Sequence, residues 1–338
     1  MRCAVLLKSL CGQVFKAKPL DTVRIKEMAH PVQVIVVVGA TAVGKSSFAL
    51  ELAQMLGTEI ISADSMQIYR GMSIGVAAPT AEDLAKVRHH FVGVIEPSES
   101  FSAADFAGQA LEVAQGLDAR GKIPVVVGGS GLYLRAFVDG LFPGPPADKR
   151  LRRRFREFAA ESGSSRLHER LRGVDPESAK KFHENDLRRI VRALEVYELT
   201  GVPISELQRK YRDMKPDLAA TFIGLERERR DLYDRIDERV ERMFDLGFLD
   251  EVAGLLEQGY GDDIDRIRPL GYPEVKAHLE GEFDLDHAKY LIKRDSRRYA
   301  KRQCTWFRTD SRIRWFRFSA DEETADYAQQ ICRAVGAC

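Results

Sequence analysis

The stretch Gly39-Ala40-Thr41-Ala42-Val43-Gly44-Lys45-Ser46 matches the phosphate cradle G-x-x-x-x-G-K-[ST], lying between an apolar run and a helical pattern as that motif requires. Its glycines let the backbone wrap closely around phosphate oxygens. Successive N–H groups then point inward, with a helix N-terminus behind them. Lys45 adds a mobile cation, and the Ser46 hydroxyl can ligate Mg²⁺. The motif establishes phosphate binding but leaves the ligand open, since a nucleotide and another diphosphate would be held alike. No N-K-x-D base-reading motif follows, which weakens a GTPase reading.

A carboxylate, Asp64, follows in Ser62-Ala63-Asp64-Ser65-Met66-Gln67-Ile68-Tyr69. Strand order would make it a neighbour of the cradle, at the carboxyl edge where open α/β sheets bind ligands. Two roles suit it there: holding Mg²⁺ through water, or acting as general base.

The elements that must position these groups are legible. Gln33 to Val38 is a β-branched run, the pattern of a strand buried on both faces. A helical pattern with Phe48, Leu52, Met55 and Leu56 on one face follows the cradle and stops at Gly57. Glu59 to Ala63, His90 to Ile95 and Ile123 to Val127 read as further strands, and Ser102 opens a helix running to about Arg120. Strands alternating with helices predict an α/β fold, a P-loop NTPase-like doubly wound parallel sheet. Beyond Phe142-Pro143-Gly144-Pro145-Pro146, which reads as a semi-rigid hinge, the strand signal gives way to charged amphipathic helices. The expected organisation is a core of residues 31–146 and 216–338, a helical insertion at 147–215, and a poorly ordered extension at 1–30. A strand returns at Phe222, and long helices are expected over about Arg229 to Phe244 and His287 to Phe307.

The chain of 338 residues carries a formal net charge of only +1, but unevenly. Lys289 to Arg317 holds eleven Lys and Arg against two acidic residues, and Ala147 to Lys215 holds eighteen against twelve. Two basic segments in a neutral chain suggest a polyanionic partner, although solvated helix faces have the same composition. No apolar run reaches the roughly 18 to 20 residues of a membrane span, so no membrane partner is expected. The five cysteines form no C-x-x-C pair, which argues against a disulfide framework or zinc cage and suits a reducing cytosol.

Several stretches together resemble the tRNA dimethylallyltransferase family, also called tRNA isopentenyltransferases. They are Gly39–Ser46, Ile61–Met72, Phe101–Phe106, Val127–Tyr133, Asn185-Asp186 with Arg188–Glu195, and Ala300–Arg308. The resemblance spans about Val34 to Arg317; the first motif is generic, but their joint occurrence in this order is specific. It implies that dimethylallyl diphosphate occupies the cradle formed by Gly39, Ala40, Thr41, Ala42, Val43, Gly44, Lys45 and Ser46, with Mg²⁺ on Ser46. The dimethylallyl group would pass to N6 of adenosine 37 in a tRNA anticodon loop. Asp64 would be general base, and Lys45 and Ser46, helped by Arg230 or Arg235, would stabilise the departing diphosphate. Adenine must leave its stack to react, so base flipping is implied. By similarity, Asp64, Ser65, Met66, Gln67, Ser130, Arg152, Arg188, Arg189, Ile190, Val191 and Arg192 would contact tRNA. Ile190 and Val191 would do so by backbone or packing at most, and Pro269-Leu270-Gly271-Tyr272 would lie near the same surface.

Duller roles exist for several of these. Arg152 would serve a solvated helix face, and Ser130 a helix cap. Trp306 and Phe307 read as core rather than a stacking platform, and His89 and His90 as structural. Ala40 replaces the family's usual proline, Ser130 its threonine, and Val76 and Ala78 a common threonine and lysine. The zinc finger of eukaryotic relatives is absent, which fits the bacterial type, expected as a cytoplasmic monomer. The rival readings are an adenylate isopentenyltransferase acting on free AMP, ADP or ATP, a small-molecule kinase, and a non-catalytic RNA-binding switch.

Overall fold

The computed structural model describes residues 30–142, 144–211, 215–318 and 324–336. Expectations for residues 1–29 and for Pro143 in the hinge lie outside these. Residues from Val32 onward form one compact unit.

Six strands form one sheet, every pairing parallel, in the order β3-β2-β4-β1-β5-β6. They are β1 (Val32–Gly39), β2 (Ile60–Ser62), β3 (His89–His90), β4 (Val125–Val127), β5 (Leu218–Glu226) and β6 (Arg314–Arg317). β1 runs through the middle, and Val34 to Val38 are all buried, as expected for a strand covered on both faces. Around the sheet lie α1 (Lys45–Met55), α2 (Ala81–Lys86), α3 (Ala103–Asp118) and α4 (Gly131–Asp139). Then come α5 (Lys149–Ser162), α6 (Ser164–Val174), α7 (Pro176–Lys181), α8 (Leu187–Thr200) and α9 (Ile204–Lys210). The chain closes with α10 (Arg229–Asp245), α11 (Phe248–Glu257), α12 (Gly261–Ile267), α13 (Tyr272–Leu279), α14 (Leu285–Phe307) and α15 (Thr324–Val335).

The main core packs Phe48 and Leu52 of α1, Ile35 and Val37 of β1 and Ile223 of β5 with Ile236 and Ala300 of the later helices. Helices α5 to α9 gather around a cluster of their own, led by Phe155, Leu167, Leu171, Ile190 and Leu194. That cluster falls within the segment expected to be a helical insertion.

One expectation needs correction. β3 ends at His90 rather than Ile95, because the following backbone turns to hold a loop: Gly93 and Val94 amides donate to Gln67 and Ile68, and Arg70 donates to Ile95. β4 lies between β2 and β1.

Candidate active site

The phosphate loop leaves β1 at Gly39 and enters α1 at Lys45. Its N-cap is Gly44, at φ 107°, which has no side chain with which to close the helix. The first-turn amides of α1 are therefore available to an anion, as are the orphan donors of any uncapped helix. Lys45 Nζ donates to the Ala40 carbonyl at 2.7 Å, so Ala40, itself buried, serves through its backbone. Burial, with help from the Arg239 charge and against the pull of Asp64 and Cys304, brings Lys45 down to about 8. Ser46 is exposed beside it.

Arg235 donates to the Ala42 carbonyl at 3.1 Å and Arg227 to the Val43 carbonyl at 3.0 Å. Arg230 is exposed and reaches no part of the loop. The cation that faces Lys45 and Asp64 is Arg239, one turn beyond Arg235 on α10. Burial depresses it and the Asp64 charge supports it, and among the described residues it has no hydrogen-bond or ion-pair partner. A guanidinium shielded from water, with no hydrogen bond or ion pair of its own, is costly unless an anion joins it. Sequence reasoning passed over Arg239 because the helix carries arginines on every face, and only their placement separates them.

Asp64 follows β2, half-buried, and its Oδ1 accepts from the Met66 amide at 2.9 Å. This Asx turn fixes the carboxylate while leaving Oδ2 for other work. The next residues are tied down in turn. Ser65 donates its amide to Ser130 Oγ at 3.0 Å, and Gln67 bridges Ser62 Oγ at 2.9 Å and the Ala77 carbonyl at 2.9 Å. Ser130 stands at the N-cap of α4 without capping it, so the expected cap role gives way to this cross-loop bond. Further out, Glu251 accepts from the amides of Ser73, Ile74 and Gly75 and from Tyr272 Oη. Tyr272 is fully buried, so Pro269–Tyr272 anchors the loop from beneath rather than forming a surface.

Helix α14 lies directly over the β4–α4 loop. A Cβ added at Gly128 would stand 2.1 Å from the Ala63 carbonyl oxygen, at Gly129 2.2 Å from Gln303, and at Gly131 2.2 Å from Trp306. The glycines are there to let β2 and α14 approach, not to bind phosphate. Gln303 and Tyr299, both unremarked in the sequence, reach into the site: the buried Tyr299 phenol sits beside Asp64, and burial together with that charge pushes it up to about 12. Phe307 is core, but Trp306 is 41% exposed, contrary to expectation.

On the helical side, Arg152 and Arg192 share one buried carboxylate. Glu195 accepts from Arg152 at 2.7 and 2.9 Å, from Arg192 at 2.6 Å and from the Asp148 amide at 2.8 Å. Ile190 and Val191 are buried in the helical cluster, so their side chains cannot touch RNA. Arg188 and Arg189 are exposed, with Arg189 paired to Asp186 at 3.3 Å. Burial raises the Glu195 carboxyl, but the two guanidiniums and the amide outweigh it and hold the group below its ordinary range. A depressed carboxyl contributes stability above its unfolded value that is lost as pH falls through the folded one. Glu195→Gln should therefore cost about 1–3 kcal/mol at neutral pH, the penalty for weakening a buried charged network. In urea titrations the gap between variant and wild type should narrow on acidification; a gap independent of pH would refute this role.

The comparisons follow from here. The family described as IPP transferase matches residues 67–310. A tRNA dimethylallyltransferase of Geobacter sulfurreducens is 46% identical over 289 residues, covering 86% of this chain and 93% of its own. One of Carboxydothermus hydrogenoformans is 46% identical over 305 residues, covering 90% and 97%. The solved tRNA isopentenylpyrophosphate transferase of Bacillus halodurans superposes with a TM-score of 0.65 at 38% identity, covering 90% and 97%. A eukaryotic dimethylallyltransferase solved acting on tRNA gives a TM-score of 0.76 at 27% identity, covering 90% and 78%.

Proposed function

Because the chain belongs to the IPP transferase family, we propose that its cradle holds dimethylallyl diphosphate and that Asp64 takes the proton released when adenine attacks. The protein is an enzyme, a prenyltransferase that modifies tRNA. The observation that carries the finer reading is the meeting of Asp64 with two cations, Lys45 and Arg239, at the mouth of the phosphate loop.

In this reading N6 of adenosine 37 attacks the terminal allylic carbon of the donor. The carbon–oxygen bond breaks with its electrons leaving on diphosphate, and the N–H proton passes to Asp64 Oδ2. The amine is a poor nucleophile, so a carboxylate collecting its proton as the bond forms lowers the barrier. Charge gathers on the diphosphate, where the amides of α1, Lys45 and Arg239 would meet it. The half-buried Asp64 and the equally half-buried Ser65 to Gln67 loop would receive the extruded base. The exposed arginines of α5 and α8, including Arg188 and Arg189, would grip anticodon-stem phosphates with salt-sensitive affinity.

Among the described residues no group of three His, Cys, Asp or Glu could hold a metal by itself. A lone hydroxyl at Ser46, with Asp64 nearby, suits Mg²⁺, which takes most of its ligands from phosphate and water. Bound there it would neutralise diphosphate charge. The protein is proposed to act as a monomer.

A competition assay tests the assignment: label from dimethylallyl diphosphate should enter unmodified tRNA and not AMP, and the reverse pattern would reject it. Lys45 supplies a second check. Anion binding needs its ammonium form, so pyrophosphate affinity should hold steady up to about pH 8 and then fall as much as tenfold per pH unit. Calorimetric titration that found affinity flat to about pH 9.5 would remove Lys45 from the diphosphate site.

A further inference from the structure

The two halves of the site, the phosphate loop and the base-accepting loop, come from strands that do not touch, yet one side chain joins them. Gln303, buried on α14, accepts from the Thr41 amide at 2.8 Å and donates to the Gly129 carbonyl at 3.0 Å. Its orientation is fixed by its partners, because Thr41 can only donate and the carbonyl can only accept. Gly129 precedes Ser130, whose hydroxyl accepts from the amide next to Asp64. A chain of hydrogen bonds thus runs Thr41, Gln303, Gly129, Ser130, Ser65, from the cradle to the base. The absence of a Cβ at Gly129, where one would meet Gln303 at 2.2 Å, is what admits the amide.

We propose that Gln303 is a positioning residue that sets the distance between the diphosphate cradle and the Asp64 loop. The proposal rests on the functional reading above and adds a residue which that reading does not require. Gln303 is buried and bonds to the protein backbone on both sides. It acts by holding Thr41, in the middle of the phosphate loop, at a fixed separation from the loop that carries Ser130. α14 also grips α10, the helix of Arg239, through Arg297 with Asp237 at 2.5 Å and Lys289 with Glu241 at 2.7 Å. All three parts of the site are therefore registered against one helix.

The test uses the full chain and two variants. Gln303→Met keeps the volume and loses both bonds. Gln303→Glu keeps the acceptor for Thr41 but, while ionised, turns a lone pair on the Gly129 carbonyl; protonation restores the missing donor. Misplacing reacting groups by about 1 Å costs on the order of 10²-fold, so Gln303→Met should lower the single-turnover transfer rate by about that factor. The KM for tRNA should move less than about threefold, because Gln303 is buried and both bonds that it makes are to the protein backbone. Gln303→Glu should be similarly slow at about pH 8 and recover relative to wild type as pH is lowered towards about 6. Taking the ratio to wild type at each pH removes the titration of Lys45, which both proteins share.

A wild-type rate in Gln303→Met, a loss confined to KM for tRNA, or a ratio for Gln303→Glu that ignores pH would each overturn the proposal. Should Gln303→Met fail to fold, as judged by circular dichroism, the pH ratio of Gln303→Glu alone decides. No transfer by the wild-type chain would defeat the underlying functional reading instead, and would be seen before any variant is compared.

Discussion

Asp64→Asn is expected to slow single-turnover prenyl transfer by about 10²- to 10⁴-fold, the range for losing a general base, with tRNA affinity nearly unchanged. The substitution is isosteric. Its amide oxygen can still accept from the Met66 amide at the position now 2.9 Å away, so the Asx turn and the loop behind it should persist. What disappears is the capacity to take a proton, together with the negative charge that supports Lys45 and Arg239. Diphosphate should bind the variant no worse than wild type, because the two cations lose an internal competitor. Filter binding of unmodified tRNA alongside rapid-quench transfer separates the effects. Transfer within about tenfold of wild type would leave Asp64 no role as base.

The second large effect is expected at Arg239. Arg239→Met removes a guanidinium that has no hydrogen bond or ion pair among the described residues and only the Asp64 charge in its favour, so little folding stability should go with it. A buried charge is itself a burden to the fold, which offsets what the substitution loses. Catalysis should suffer, because a preorganised donor aimed at developing charge is worth about 3–4 kcal/mol, or roughly 10²- to 10³-fold in rate. Pyrophosphate affinity should drop in parallel, whereas Arg230→Met, on the exposed start of the same helix, should change neither. Equal behaviour of the two variants in calorimetry and transfer would end the argument for Arg239.

The ingredients of the site were legible in the sequence, but not their arrangement. Gly39 to Ser46 and Asp64 announce themselves because phosphate chemistry needs those residue types at fixed local spacing. β1 and α1 are equally plain, since burial on both faces and helical periodicity are local signals. The order β2-β4-β1 is a long-range fact, and no pattern within β2 states which strand lies beside it. β3 was overextended because Phe91 to Ile95 is as apolar as a strand, while its hydrogen bonds go to the Gln67 to Arg70 loop. Gln303 and Tyr299 were missed for a related reason. A polar residue in a basic helix looks solvated until the helix is seen lying across Gly129 to Gly131. Arg152 and Arg192 carry a second role that no local pattern states, since both partly exposed guanidiniums pair with the buried Glu195.

The interposed strand has a further meaning. With β4 between them, the ends of β1 and β2 stand two interstrand spacings apart, roughly 10 Å along the sheet edge. A backbone ladder cannot stretch, so on the proposed reading the gap would act as a ruler for the donor. The anionic head would be caught at one graduation and the proton acceptor would wait at the other, leaving the electrophilic carbon to fall between. A donor lacking one phosphate would end short of the mark, and selection by length would precede any selection by shape.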